Sequence, residues 1–272
     1  MAKTKNMHYL SQMISRNFSE KDSSRTFLLY DPNTRIFCDR NINKLFSAHR
    51  PWGQDFENVL SGNDYENVLS PILRDLASCK IDRHTIIGPS KITECQFNGI
   101  IIDDDKQRRV LSKLVLQSFL LQRSAEKPQA EIEAILMEIF TSDFALKMNM
   151  GLVEINPRGN YAPLILTDGL LFSFLCPNYD PKTLGHICFM VPISEQRFLL
   201  WVNGKKDFDF FCRKYSNIHY LNLCRIEQHE KKCKIALAKN PKNEMYLKGL
   251  VSQISNFNSN EHVKISTIRD WE

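Results

Sequence analysis

Residues 162–176 read APLILTDGLLFSFLC, two apolar runs on either side of Asp168 and Gly169. Short apolar runs that are separated by turn residues are typical of β-strands. The same pattern recurs further along the chain, at residues 187–191 and 198–202. We therefore expect a small, mainly antiparallel sheet in the second half of the chain. Asp168 also interrupts the longest apolar run, which stays below the roughly 18 residues of a membrane span.

The remaining segments predict helices and one hairpin. Residues 26–31 and 35–40 are rich in β-formers and are joined through Pro32 and Asn33, which predicts a β-hairpin. Apolar residues at three- and four-residue spacing predict helices over 7–17, 64–77, 105–122, 130–148, 206–213, 221–239 and 244–256. We expect a predominantly helical, single α+β domain over residues 1–272, with an insertion at 81–102 that carries one or two strands and a last strand at 262–268.

Composition excludes several classes of protein. With 43% hydrophobic and 25% charged residues, the 272-residue chain is neither disordered nor a fibrous repeat. Its net charge of +5 allows a polyanionic partner without requiring one. None of the eight cysteines forms a two-residue-spaced pair, so we expect reduced thiols. The basic start lacks the apolar segment of a signal peptide, and we expect a cytoplasmic protein with no membrane contact.

The first predicted helix carries a candidate site. His8, Gln12 and Arg16 are four residues apart, so on a helix they project from one side. An imidazole, an amide and a guanidinium together could bind a phosphate and transfer a proton. The alternative is an ordinary solvated helix face.

The acidic residues and the cysteine-containing cluster of the sequence each have a structural explanation as an alternative to a functional one. Residues 103–105 are three aspartates before a predicted helix, where capping is a better explanation than a cation site. Asp168 follows Thr167 at a strand end, where a carboxylate can line a site, although an aspartate that hydrogen-bonds its own turn is commoner. The cysteines and histidines between 212 and 233 match no closed metal site, so we predict no metal ligands.

The order of several weak motifs resembles the bacterial domain-of-unknown-function family numbered 4238. Its signature of a histidine, a proline three residues on and a closing Asn-Phe is similar to residues 8–18, with Ser11 in place of the proline. Glu66 in the first long helix and Gln122-Arg123 at the end of the next are further points of similarity. The family's Thr-Ser-Asp-Asn-Pro turn corresponds to residues 167–170, and its Pro-Leu-Ser-Pro segment to residues 192–195.

The resemblance implies an intracellular bacterial protein of unassigned biochemistry that is encoded near defence or toxin modules. We expect a phosphodiester-directed effector, such as an RNase-like toxin or an antiphage protein. His8 is the expected acid or base, Asp168 orients it or holds a divalent cation, and Arg16 or Arg123 steadies phosphate charge. The other expected substrate-binding residues are Gln12, Glu66 and Thr167.

The alternative is a non-enzymatic module that binds nucleic acid, with RNA favoured, or a protein partner such as an antitoxin. In that case the same polar residues form buried structural hydrogen bonds. Exposure distinguishes the two, because catalytic side chains converge on a water-accessible pocket. The sequence has no glycine-rich phosphate loop, paired metal-binding histidines or nucleophile elbow, which argues against a nucleotide-processing enzyme.

Overall fold

The structure, a computed structural model, describes residues 6–8, 12–19, 25–49, 63–81, 95–112, 114, 148–157, 162–176 and 187–258. Within these residues the chain forms two antiparallel sheets, of five and four strands, and a two-stranded ribbon. Helices pack against both the five-stranded and the four-stranded sheet. No helix in this part of the chain is long and apolar enough to cross a membrane.

The larger sheet contains the most apolar strands of the chain. Its strands are β5 (Cys95–Ile101), β6 (Asn149–Pro157), β8 (Phe172–Leu175), β9 (Ile187–Ser194) and β10 (Arg197–Val202), in the order β5-β6-β10-β9-β8. Every residue from 187 to 193 is buried, so both faces of β9 are covered, and such strands are continuous apolar runs. Phe211 of helix α4 (Lys205–Lys214) covers one face, with its ring 5.1 Å from that of Phe174 and 5.4 Å from that of Phe198.

The smaller sheet joins the two halves of the chain. Its strands are β2 (Thr26–Asp31), β3 (Ile36–Asn41), β7 (Leu166–Thr167) and β11 (Ile235–Ala238), in the order β3-β2-β11-β7. The predicted hairpin is confirmed as β2 and β3, which pair from Thr26 opposite Asn41 to Asp31 opposite Ile36. The Asp31 carboxylate accepts a hydrogen bond from the Asn33 N–H at 3.0 Å and so fixes the turn.

The other elements are helices and a short ribbon. The helices are α1 (Gln12–Asn17), α2 (Asn63–Ser78), α3 (105–112), α5 (Ile218–Gln228) and α6 (Pro241–Ile254), with a 3-10 turn at Ile42–Lys44. Strands β1 (Asn6–His8) and β4 (Ser47–His49) form the ribbon. The Asp104 carboxylate accepts from the Gln107 N–H at 2.8 Å, which confirms the predicted capping of α3.

The prediction of a predominantly helical fold is wrong. Two antiparallel sheets form the frame, and the predicted small sheet is only part of it. Helix α5 ends at Gln228, and residues 235–238, predicted as helix, form the fully buried strand β11 between β2 and β7. Pairing with strands distant in the sequence outweighs the helix-forming alanine, leucine and lysine residues there. The predicted helix over 130–148 and the strand at 262–268 lie outside the described residues, apart from Met148.

Helix α5 connects the two sheets through polar side chains. The Gln228 amide pairs with the backbone of Ser173 on β8, accepting from its N–H at 3.1 Å and donating to its carbonyl at 3.2 Å. Because β8 is the edge strand of the larger sheet, this side chain replaces a missing neighbouring strand. The Asn222 carbonyl oxygen accepts from the Ile165 N–H at 3.3 Å, and its amide group donates to the Pro163 carbonyl at 2.7 Å.

Replacing Gln228 with Ala tests this pairing. The substitution leaves the Ser173 N–H and carbonyl without their amide partner, which we expect to lower the free energy of unfolding by about 1–3 kcal/mol. Gln253→Ala is the matched control, because Gln253 is exposed on α6 and its side chain hydrogen-bonds the His219 ring at 3.1 Å rather than a strand backbone. It should cost about 0.5 kcal/mol or less. Urea denaturation measures both values, and equal losses would contradict the edge-pairing role.

Candidate functional site

The three residues predicted on one helix face do not share a helix. His8 ends β1 opposite Ser47, whereas Gln12 is the first residue of α1. Pairing of β1 with β4, some 40 residues away, satisfies the backbone at His8 and cannot be seen in the local pattern. Arg16 is exposed in the last turn of α1, while the side chains of His8 and Gln12 lie outside the described residues.

Two further predicted residues stay untested. Glu66 lies in α2, but its side chain is outside the described residues, and Arg123 falls entirely outside them. The convergence of these groups on a phosphate therefore stays a prediction.

Thr167 and Asp168 bind the protein's own chain. The buried Thr167 hydroxyl donates to the Gly169 carbonyl at 2.8 Å and accepts from the Arg225 guanidinium at 3.4 Å. The Asp168 N–H donates to the Lys234 carbonyl at 3.2 Å, and the Asp168 carboxylate accepts from the Lys234 N–H at 3.0 Å. Asp168 thus extends the pairing of β7 with β11 by one residue.

The surroundings of Asp168 are rich in titratable groups. Burial raises the pKa of Asp168 to about 7, although backbone N–H groups and the charge of Lys234 oppose the shift. Burial, followed by the nearby charge of Arg225, lowers the pKa of His229 to about 4, so this imidazole is neutral at pH 7. Burial also raises the pKa of the Cys233 thiol, with Asp168 as the second cause.

This titratable cluster lies partly inside the protein, with Arg225 and Cys233 buried and Asp168 and His229 half-buried. The His229 ring packs so closely on Gly169 that a Cβ atom added at residue 169 would lie 2.4 Å from it. Arg225 is 1% exposed, and its guanidinium donates to the Ile165 carbonyl at 2.8 Å. The Arg225 Nε and His229 Nε2 atoms have no hydrogen-bond partner among the described residues. Perturbed pKa values often mark active sites, but here they follow from burial within the polar link between α5 and residues 163–173.

Replacing Asp168 with Asn tests the raised pKa. Because its folded pKa is about 7 against 3.8 for the free group, the folded state binds more protons between these values. The contribution of this group to stability is therefore greatest at acid pH and is lost as pH rises to 7. Asn keeps an acceptor for the Lys234 N–H but carries no charge.

We expect Asp168→Asn to be more stable than the parent at pH 8 by about 1 kcal/mol or more, with the difference shrinking toward pH 4. Urea denaturation at several pH values measures it. His229 contributes equally to both proteins and cancels in the difference. A difference that is constant with pH would contradict the raised pKa.

A separate polar cleft opens elsewhere on the described surface. It has a volume of about 460 Å³ and lies between the ends of α1 and α2, the turn from β9 to β10 and the start of α6. Four amide side chains and two charged ones line it, namely Asn17, Gln196, Asn240, Asn243, Glu195 and Lys242. The cleft thus combines many hydrogen-bond donors and acceptors with one charge of each sign.

The start of α6 sets the geometry of one wall. The Asn240 carbonyl oxygen accepts from the Asn243 N–H at 2.8 Å and caps the helix, and Pro241 follows at the first helical position. The Asn243 amide group donates to the Glu195 carboxylate at 2.8 Å and to the Ala238 carbonyl at 3.0 Å. Asn243 is 1% exposed, and its Oδ1 atom has no partner among the described residues.

Sequence reasoning named only the edge of this cleft. Arg16 directly precedes Asn17, and the segment 192–195 noted for its family resemblance ends at Glu195. The Asn240-Pro241 pair is a standard signal for the start of a helix. It predicts the cap if α6 starts at Pro241 rather than at Glu244, the start predicted from the sequence. The cleft itself is assembled from four separate segments, which no spacing rule connects.

No family model, curated protein or solved structure that was compared with the chain matches it. The resemblance to the family numbered 4238 therefore stays a prediction.

Proposed function

We propose that this protein is a phosphodiester-directed binding module that takes single-stranded nucleic acid, with RNA favoured, into the amide-lined cleft. The observation that carries the proposal is the cleft of about 460 Å³ that joins four amides, a carboxylate and a lysine. Its volume lies within the range of ligand sites, about 300–1,000 Å³.

The polar groups of the cleft fit an unstacked base. Amides offer donors and acceptors side by side, as the edges of bases do, and a carboxylate such as Glu195 can accept from an exocyclic amino group. Single-stranded RNA is the form whose base edges are open to such contacts. The buried Asn243 amide, fixed by Glu195 and Ala238, gives this wall a rigid orientation.

The charges of the cleft fit the adjoining phosphate. Lys242 lies in the first turn of α6, where the positive end of the helix dipole adds to its charge. Arg16 is exposed at the end of α1, next to the cleft-lining Asn17. Both cations lie beside the cleft, where they could bind the phosphates of a single nucleic-acid strand. The net charge of +5 also favours binding of a polyanion.

The hydrogen bonds of Thr167 and Asp168 to the protein's own backbone support binding rather than catalysis. A catalytic carboxylate needs a substrate within hydrogen-bond reach, whereas Asp168 accepts from the N–H of Lys234, the residue before β11. The roles first predicted for His8 and Arg123 stay predictions, and cleavage of RNA is an outcome of the test below.

Fluorescence anisotropy with labelled single-stranded RNA, single-stranded DNA and duplex RNA tests the proposal. Lys242→Ala should weaken binding of single-stranded RNA by about 3- to 10-fold and reduce the dependence on salt by about one phosphate contact. Lys248→Ala is the matched control, because Lys248 is exposed on the same helix and pairs with Glu244 at 2.7 Å. It should bind as the parent does.

Two results would contradict the proposal. The first is the absence of nucleic-acid binding at low salt, which would favour a protein partner. The second is an equal loss of affinity for single-stranded RNA in Lys242→Ala and Lys248→Ala. RNA integrity is followed in the same mixtures. If the parent cleaved RNA and a His8→Ala, Asp168→Ala double variant did not, the protein would be a nuclease rather than a binding module.

A further inference from the structure

Two cysteines and an aspartate meet inside the protein, away from the amide-lined cleft. Cys176 follows β8, Cys188 lies in the neighbouring strand β9, and Asp207 lies in the first turn of α4. One ligand atom from each lies within 4.8 Å of the others. Cys176, Cys188 and Asp207 are 2%, 0% and 6% exposed. Hydration by solvent therefore does not offset the burial of a carboxylate beside two thiols.

The distances match those between the ligands of one zinc ion. The two Sγ atoms are 3.6 Å apart, and the Cys188 Sγ lies 3.9 Å from the Asp207 Oδ2. A tetrahedral ion with Zn–S bonds of about 2.3 Å separates its two sulfur ligands by about 3.8 Å. A sulfur and a carboxylate oxygen are separated by about 3.5 Å around the same ion. The third separation, between the Cys176 Sγ and an Asp207 carboxylate oxygen, is at most 4.8 Å.

The electrostatics of the cluster favour a cation. The buried Asp207 carboxylate lies beside the Cys188 thiol, with the Cys188 Sγ 3.9 Å from the Asp207 Oδ2. The Asp207 carboxylate accepts from the Asn203 N–H at 3.1 Å, which holds its oxygen in place beside the thiol. A divalent ion would compensate most of the negative charge that two thiolates and a carboxylate bring into the interior.

We propose that Cys176, Cys188 and Asp207 form a zinc site. Binding forms two Zn–S bonds and one Zn–O bond and releases the two thiol protons to solvent, with no change of oxidation state. Water fills the fourth position, as in zinc sites with three protein ligands. Thiolate ligands select zinc over magnesium or calcium, which prefer oxygen ligands. The site is independent of the nucleic-acid proposal.

Metal content of the full-length protein tests the site. The protein is purified with reductant, stripped with chelator, incubated with zinc sulfate and dialysed, and zinc is then measured by mass spectrometry. We expect one zinc ion per chain. Cys188→Ser and Asp207→Asn should each weaken zinc binding by about 10- to 100-fold or more. Cys224→Ser is the matched control, because Cys224 is an equally buried thiol on α5, and it should retain the zinc.

A second readout separates loss of the site from loss of the fold. The parent with cobalt chloride should show thiolate-to-cobalt charge-transfer absorption, which Cys176→Ser should reduce while circular dichroism stays unchanged. The proposal is overturned if the parent retains no zinc, or if Cys224→Ser loses as much as Cys188→Ser. It is also overturned if peptide mapping of the protein purified with reductant finds Cys176 and Cys188 joined in a disulfide.

Discussion

The fold depends on a row of polar side chains on one side of α5. Asn222, Arg225 and Gln228 are three residues apart, so they are neighbours along the helix, and each binds the backbone of residues 163–173. This segment contains β7, an edge strand of the smaller sheet, and the start of β8, an edge strand of the larger. Its backbone groups are buried and lack a second strand to pair with, so the helix must satisfy them. The two sheets are thereby held in one arrangement.

The same constraint explains why the Thr167-Asp168 turn has shifted pKa values although its polar groups bind the protein's own chain. Arg225 of α5 donates to Thr167, and the N–H of Lys234, directly before β11, donates to Asp168. Burial raises the pKa of Asp168 to about 7 and lowers the pKa of His229 to about 4. A polar network of this kind is costly to bury and specifies one packing when its members are satisfied. The amide-lined cleft and the cluster of Cys176, Cys188 and Asp207 share no residue with this network. Their chemistry is therefore independent of it.

Several elements of the fold could be predicted from local pattern, but the predominance of sheet could not, and the missed strands have one physical cause. The hairpin at 26–41 and the helix at 63–78 follow from turn residues and a strong apolar stripe. Strands β1, β6 and β11 were missed because their state is set by partners far away in the sequence, against local helix propensity in the case of β11. Thr167 and Asp168 were recognised as unusual, but a sequence cannot show whether a strand-end carboxylate faces solvent or another strand. The amide-lined cleft combines four segments, and only its α6 cap has a local signal.

Hydrogen exchange of two backbone amides tests most directly whether α5 holds the sheets together. The Ile165 N–H donates to Asn222 and the Ser173 N–H donates to Gln228, so neither relies on a strand neighbour. If the polar row of α5 is the link described above, both amides exchange only by global unfolding, with protection within about 1 kcal/mol of that of the central strand β9. Exchange of these two amides through local opening, orders of magnitude faster than in β9, would contradict the account.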